Sequence, residues 1–160
     1  MDVSIRVMQQ DDIPDLVQWS LLSFEPIFAS FERILGPRIY PEVYPDWKKS
    51  QAEGVESVCR NDKMDVWVAE VEGRVVGYIA YELHESDQSG EVMLLAVHPD
   101  YQNDGIGTAL NEHALDKMRE AGMRLAVVGT GGDDSHAPAR RCYEKAGYTG
   151  LPLVRYYQKL

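Results

Sequence analysis

The sequence predicts an α/β domain built on a mixed, mostly antiparallel central sheet flanked by helices. Between residues 66 and 83, two alternating apolar segments are joined by a Glu-Gly turn, which is typical of an antiparallel hairpin. Between residues 91 and 128, a strand, a helix and a strand follow one another, which favours a right-handed crossover. With 160 residues and no internal repeat or linker, the chain is expected to form one domain, residues 1–160.

The N-terminal region begins with a strand and a helix. Residues 4–7 alternate apolar and polar side chains and predict the first strand. Asp12 can cap the helix that follows, Pro14 suits its first turn, and Asp15 lies at the spacing of a capping box.

Residues 21–47 combine aromatic side chains with four prolines, so we expect irregular segments that can move. Phe24, Phe28 and Phe31 recur at helical spacing, and they form either one apolar stripe on the core or an aromatic wall around a substrate pocket. The other aromatic residues and the prolines are Tyr40, Tyr44, Trp47, Pro26, Pro37, Pro41 and Pro45. Residues 46–59 then predict a helix whose first residue, an aspartate, can cap it.

The next predicted elements are three strands. Residues 66–71 and 75–83 alternate clearly, and Glu72-Gly73 between them favours a hairpin turn. A further strand is expected to start at Glu91.

A helix is predicted from about Gly107 to a glycine cap at Gly122. Its apolar stripe consists of Ile106, Leu110, Ala114 and Met118. Residues 125–128 are fully apolar and predict a short strand buried in the sheet. Residues 138–146 predict a last helix closed by a glycine, and residues 154–158 predict a final strand.

The composition limits the classes of function. The net charge of −10, from 26 acidic and 16 basic residues, disfavours binding to nucleic acid or to an anionic membrane. This acidity either steers a cationic amine or serves solubility alone. No apolar run reaches the ~20 residues that span a bilayer, and the N-terminus lacks signal-peptide features, so a cytoplasmic location is expected. Cys59 and Cys142 alone predict neither a disulfide framework nor a metal site.

The segment from Glu91 to Thr108 joins a strand to a helix through a glycine-rich turn. Backbone N–H groups and the positive end of the helix dipole converge at such a turn, which therefore favours an anion. Glycine matters there because a phosphate approaches the backbone only where no Cβ blocks it. The alternative is a plain strand-to-helix connection with glycines for turn geometry.

Two motifs in this element order resemble those of the GCN5-related N-acetyltransferase (GNAT) superfamily. The first is Gln or Arg, two residues, Gly, one residue, then Gly or Ala, which Gln102, Gly105 and Gly107 match. The second lies in residues 136–148, where the matching positions are Ala139, Tyr143, Lys145, Gly147 and Tyr148. His136 stands where the superfamily has Asn.

The resemblance implies the GNAT fold, with acetyl-coenzyme A as cosubstrate in a cleft between the strands at residues 91–97 and 125–130. It places the pyrophosphate on the amides of the glycine loop and the pantetheine chain along the central strand. Asp104 occupies a position that is often basic in the superfamily; its carboxylate either points to solvent or caps the following helix, and we expect the cap. The implied coenzyme-binding residues are Leu95, Ala96, Val97, Gln102, Asn103, Asp104, Gly105, Ile106, Gly107, Thr108, His136, Ala139 and Tyr143.

Acetyl transfer to an amine needs a base, a polarised thioester carbonyl and an acid for the thiolate. The resemblance makes Tyr143 the acid, unless it is a core tyrosine, and makes Glu91 the base, unless it is a solvated strand-end carboxylate. His136 is a third option for the base, or it hydrogen-bonds the pantetheine chain. An amide near Val97 is the implied oxyanion donor, and no metal is implied.

The leading hypothesis is therefore an enzyme that transfers an acetyl group from acetyl-coenzyme A to a primary amine of a small molecule or peptide. The alternatives are an acyl-coenzyme A-binding regulatory module without turnover and another phosphate-handling enzyme, although no Gly-Lys-Ser/Thr sequence follows Gly105. The acceptor site is expected from the aromatic region and the loop at residues 83–90. Exposed strand edges and Tyr156-Tyr157 leave a homodimer open.

Overall fold

The computed structural model describes all residues, 1–160, and consists of one five-stranded sheet with helices on both faces. The spatial order β1-β2-β3-β4-β5 follows the chain; the first three pairings are antiparallel and β5 runs parallel to β4. The predicted fold class is thus confirmed. The elements are β1 (Val3–Val7), α1 (Ile13–Val43), α2 (Trp47–Arg60), β2 (Met64–Val71), β3 (Arg74–His84), β4 (Ser89–Val97), α3 (Ile106–Glu120), β5 (Leu125–Val128) and α4 (Ala137–Lys145).

The sheet separates two apolar cores. Helices α1 and α2 cover one face, where Leu16 and Val55 pack against Tyr78 of β3. Helix α3 covers the other face, and its predicted stripe of Ile106, Leu110, Ala114 and Met118 is buried there. None of the helices combines the length and the apolar character needed to cross a bilayer.

The predicted turn between β2 and β3 is confirmed. Glu72 and Gly73 both have positive φ, 52° and 76°, as a two-residue hairpin loop of the primed type requires. The predicted second helix is confirmed as well, because the Asp46 side chain accepts a hydrogen bond from the Lys49 amide at its N-terminus.

The expectation of irregular structure in residues 21–47 was wrong, because α1 runs through this region to Val43. Pro26 and Pro41 lie inside it, and the only non-helical residue is Gly36, with φ 75° and ψ 175°. In the proline-bearing part of α1, Phe28 stacks on Trp47 of α2 and Ser30 donates a hydrogen bond to Asp133. Such tertiary contacts outweigh the unfavourable helix propensity of proline, which is of the order of 3 kcal/mol per residue. Gly36 absorbs the bend that Pro37 would otherwise impose on the preceding turn.

Asp12 does not cap α1, contrary to expectation. Its carboxylate instead accepts two hydrogen bonds from the Arg6 guanidinium, at 2.8 and 3.0 Å, and one from the Gln9 amide. Arg6 also donates to Glu70 of β2 at 2.6 Å. This network fastens the start of α1 to the edge of the sheet.

A β-bulge interrupts β4 at Met93. Ala80 of β3 pairs with Leu94 whereas Tyr81 pairs with Val92, so Met93 is the extra residue. Before it Val92 faces the α3 core, and after it Leu94 faces the α1 core, although both would share a face in a regular strand. The pairing of β4 with β5 ends at the same point, Val92↔Val128.

Two predictions near the C-terminus were wrong. β5 is not buried, because it is the outer strand of the sheet and the side chains of Leu125 and Val127 are exposed. Residues 154–158 form no strand, and residues 149–160 have no regular structure. An ion pair of 2.7 Å between Lys159 and Glu42 joins this segment to α1.

Candidate functional site

A cleft opens between β4 and β5 where the bulge lets them part. The backbone of Leu95, Ala96 and Val97 lies along this part of β4, beyond the last pair with β5. The Val97 carbonyl accepts hydrogen bonds from the Gln102 side chain at 3.0 Å and from the Ser23 hydroxyl at 2.8 Å. Gln102 thereby fixes the glycine loop onto the end of β4, and Ser23 fixes α1 onto the same atom.

The glycine loop forms the N-terminus of α3. Asn103 and Gly105 adopt positive φ, 67° and 81°, which turns the chain sharply into the helix. Gly105 is the N-cap residue and offers no side chain to the first helical turn, so the amides of Ile106, Gly107 and Thr108 lack a capping acceptor. The loop therefore keeps the donor groups that an anion would need.

Asp104 does not cap α3, contrary to expectation. It precedes the N-cap residue, no side chain caps the helix, and its carboxylate is exposed.

Gly107 leaves open space in the first turn of α3. A Cβ built there would meet only Val97 Cγ2, at an ordinary 3.7 Å. The protein's own packing thus does not require glycine at this position, whereas the close approach of a ligand phosphate would. Thr108, one residue on, lies 3.9 Å from Cys142 Sγ and joins α3 to α4.

Tyr143 of α4 has a buried ring and an accessible hydroxyl. Its ring packs edge-on against Tyr148 at 5.7 Å between centroids. The hydroxyl makes no hydrogen bond. The fully enclosed polar atoms without a partner belong to other residues, which are Trp19, Asn111, His113 and Tyr148. Burial raises the pKa of Tyr143 above its ordinary value, so the phenol is protonated at neutral pH.

Glu91 lies on β4, before the bulge, with a side chain that is 42% exposed. Its carboxylate is 3.3 Å from His84 Nε2 on β3. Glu82 is its direct cross-strand neighbour, so two carboxylates share this end of the sheet. The structure brings Glu91 near the point where β4 and β5 part, but in a solvated position.

His136, at the start of α4, belongs to a hydrogen-bonded cluster that the sequence did not reveal. Its Nδ1 lies 2.6 Å from the Asp133 carboxylate, whose other oxygen accepts a hydrogen bond from Ser30 of α1, also at 2.6 Å. Ser135 donates to the same carboxylate. The sequence signal was only an Asp three residues before a His, and nothing in the sequence connects Ser30 with them across 103 positions.

The aromatic residues of α1 lie next to this cluster. Phe31 stacks on His136, with 5.7 Å between ring centroids, and also on Tyr44. Phe28 is buried and stacks on Trp47 at 4.4 Å. Phe24, by contrast, packs against the α1 core. The interpretation as an apolar stripe on the core therefore holds for Phe24, and the interpretation as the wall of a substrate pocket stays a prediction.

Other features of the surface lie apart from the cleft. Two hollows of about 490 Å³ are lined by residues at the β1–β2 edge and by the C-terminal segment against α1, and neither contains a residue of the cleft. Ala139 is half-buried on α4 between His136 and Tyr143. No group of three or more His, Cys, Asp or Glu side chains is arranged to hold a metal ion.

Residues 22–148 match the model of the acetyltransferase (GNAT) family. A mycothiol acetyltransferase of Thermomonospora curvata is 32% identical over 97 residues, covering 61% of this chain and 32% of that protein. An uncharacterised N-acetyltransferase of Archaeoglobus fulgidus is 30% identical over 118 residues, covering 66% of this chain and 79% of that protein. The chain thus spans about a third of the length of the mycothiol acetyltransferase.

The fold is also similar to that of a solved structure. The PaiA N-acetyltransferase of Thermoplasma acidophilum, in complex with coenzyme A, superimposes with a TM-score of 0.67 at 18% identity. The match covers 93% of this chain and 91% of that chain.

Proposed function

This chain belongs to the GNAT family of acetyltransferases, and from that premise we propose that it transfers the acetyl group of acetyl-coenzyme A to a primary amine of a small molecule or peptide. The observation that carries the proposal is an uncapped α3 N-terminus in contact with α4, where Thr108 lies 3.9 Å from Cys142, the residue before the protonated Tyr143.

The residues present fit the cosubstrate. The free amides from Ile106 to Thr108 supply positive potential without a basic side chain, which a chain of net charge −10 needs for a polyanionic ligand. The open space at Gly107 admits a phosphate close to the backbone. Leu95 and Ala96 offer strand backbone beyond the last β5 pair, and an amide-containing chain adds to such an edge.

Bound acetyl-coenzyme A supplies an acyl group activated as a thioester. The chain's own residues then have two tasks, which are to remove a proton from the attacking amine and to protonate the leaving sulfur. We assign the second task to Tyr143, because burial keeps its proton in place at neutral pH. The first task lies between Glu91 and His136.

The proposal also covers the setting of the reaction. The acidic composition supports a cationic acceptor and argues against nucleic acid as a partner, and the reaction as proposed needs no metal. A cytoplasmic location is part of the same proposal. The exposed outer edge of β5 supports a homodimer, which light scattering would measure.

Thiol release tests the proposed activity. The protein is incubated with acetyl-coenzyme A and, separately, with amines, amino acids, polyamines and peptides, while free coenzyme A thiol and acetylated product are measured. We expect amine-dependent thiol release for at least one class. Binding of acetyl-coenzyme A in calorimetry, with no release for any class, would instead support a binding module without turnover. Failure to bind acetyl-coenzyme A would refute both.

A further inference from the structure

The cluster around His136 fixes both the orientation and the tautomer of its imidazole. The Asp133 carboxylate is acceptor-only when ionised, so the 2.6 Å contact to His136 Nδ1 requires a proton on Nδ1. The neutral ring then carries its lone pair on Nε2. Nε2 makes no hydrogen bond and is not among the fully enclosed polar atoms.

Asp133 is itself held from several directions. Ser30, Ser135 and the Ser135 amide all donate to its oxygens. Burial acts to raise the pKa of Asp133, but the hydrogen bonds from Ser135, Ser30 and His136 outweigh it, so the carboxyl has a pKa well below its ordinary value. The carboxylate therefore stays charged throughout the neutral range.

The backbone around the pair is built for close contact. A Cβ at Gly131 would collide with the His136 ring and with Asp133 Oδ1, so only glycine leaves room for them. Arg140 of α4 donates to the carbonyls of Gly131 and Asp133, at 2.6 and 2.8 Å, and holds the loop closed. From α1 the groups against the pair are uncharged, the Ser30 hydroxyl and the Phe31 ring.

We propose that Asp133 is the positioning residue of a carboxylate–imidazole pair in which Nε2 of His136 accepts the proton of the attacking amine. This inference rests on the proposed acetyltransferase function and selects the base within it. Only 15% of the His136 side chain is exposed, whereas Glu91 is 42% exposed and contacts only His84. A shielded base with an oriented lone pair meets the geometric need of proton transfer better than a solvated one.

The step balances as follows. The amine nitrogen forms a bond to the thioester carbonyl carbon while its proton passes to His136 Nε2. The carbon–sulfur bond then breaks, and Tyr143 gives its proton to the sulfur. His136 leaves the step as imidazolium stabilised by Asp133, Tyr143 leaves as phenolate, and solvent carries the proton from one to the other. His136 is the residue before the first turn of α4 and Tyr143 lies within that helix, so about two helical turns, roughly 10 Å of helix axis, separate the two residues.

Asp133→Asn tests the positioning role, with Asp134→Asn as the matched control. Asp134 is the next residue and also acidic, but it is exposed and its side chain makes no contact. We expect Asp133→Asn to lower kcat/KM at least about tenfold and to move the acidic limb of its pH profile to lower pH, because an imidazolium without its carboxylate forms less readily. Asp134→Asn should leave both unchanged. An unmoved limb in Asp133→Asn would overturn the proposal.

One measurement independent of turnover and two further variants extend the test. Nitrogen-15 NMR of the unmodified protein at neutral pH should show the His136 proton on Nδ1, and a proton on Nε2 would refute the pair. Ser30→Ala, a milder change, should lower kcat/KM less than Asp133→Asn does, because Asp133 keeps its charge and loses only one of the donors that orient it. His136→Asn keeps an amide for hydrogen bonding but no base; we expect kcat to fall at least about 100-fold with acetyl-coenzyme A affinity in calorimetry unchanged. A retained kcat would overturn the assignment of His136 as the base and would leave it as a hydrogen-bond partner of the pantetheine chain. Failure of the unmodified protein to bind acetyl-coenzyme A would instead count against the proposed function itself.

Discussion

At Tyr143 the chain keeps a phenol protonated by burying the ring while leaving the hydroxyl accessible. An acid at this position is ready before the leaving thiolate forms, and general acid catalysis contributes typically 10²–10⁴-fold. We therefore expect Tyr143→Phe to lower kcat by about 100-fold or more while acetyl-coenzyme A affinity in calorimetry stays nearly the same.

Tyr148→Phe is the matched control for that change. Its ring lies against Tyr143, but its hydroxyl is enclosed and has no partner, so its removal should not affect kcat. Unaltered turnover in Tyr143→Phe, with the fold intact, would remove Tyr143 from the mechanism.

At the scale of the element, a substitution in the first turn of α3 distinguishes an effect on stability from an effect on ligand binding. Gly107→Glu introduces a side chain and a negative charge where only Val97 Cγ2 lies near. Because the turn has room and its dipole favours a carboxylate, we expect the free energy of unfolding to be unchanged. Acetyl-coenzyme A affinity should fall at least about 100-fold, which is about 3 kcal/mol.

Calorimetry of Gly107→Glu is compared with that of Gly150→Glu. The control adds the same charge at an exposed glycine with nothing within 4 Å and no positive φ. Equal affinities in the two variants would refute the assignment of the glycine loop to the phosphates.

The junction of β1, α1 and β2 depends on Asp12. Its side chain is 13% exposed and accepts two hydrogen bonds from Arg6, so Asp12→Asn should reduce the free energy of unfolding by about 1–3 kcal/mol. The Arg6 hydrogen bonds hold the pKa of Asp12 below its ordinary value near 3.8. A depressed pKa in the folded state stabilises above the unfolded value, and this contribution is lost as pH falls through the folded value.

Denaturation as a function of pH measures this contribution. The difference between the unmodified protein and Asp12→Asn should be constant at neutral pH and should shrink below about pH 4. Asp11→Asn, at an exposed neighbour without side-chain contacts, should show no difference at any pH. A difference that persists at low pH would show that Asp12 acts through packing and not through its charge.

Sequence patterns predicted correctly the elements whose formation depends on residues close together in the chain. The Glu72-Gly73 turn, the Asp46 cap and the α3 stripe follow from turn chemistry, capping and period, and all were confirmed. The proline-bearing part of α1 did not follow from such rules, because its buried residues Phe28 and Ser30 contact α2 and the loop before α4, which no local pattern encodes.

The site shows the same division. The glycine loop is a contiguous motif, and its position at the start of α3 was predictable. The contact between Ser30 and Asp133 joins α1 to the loop before α4, and such a contact exists only once the chain is folded. Asp104 was mispredicted because a left-handed Gly105 occupies the N-cap position and leaves the aspartate one residue too early.

At the scale of the whole molecule, the sheet ends in an open edge and the chain ends in an exposed segment. Leu151, Leu153 and Val154 are each at least 74% exposed. Since the segment buries so little, removal of residues 151–160 should change Tm by less than about 3 °C in calorimetric melting. Lys159→Ala, which removes the one ion pair to α1, should give the same small change.

The opposite result has a clear meaning. A large fall in Tm on truncation, with none for Lys159→Ala, would show that these residues stabilise the fold through contacts other than the ion pair between Lys159 and Glu42.

Because of the bulge at Met93, the cleft depends on the number of residues in β4 more than on which residue stands at position 93. One additional residue sets which core receives each later side chain of β4, so Leu95 and Val97 reach the α3 layer only because position 93 is there. A one-residue insertion or deletion in β4 would exchange the two layers for every side chain beyond it. A substitution at position 93 keeps the number of residues in β4, so each later side chain still faces the same layer. The strand is therefore open to evolution by replacement and closed to evolution by change of length.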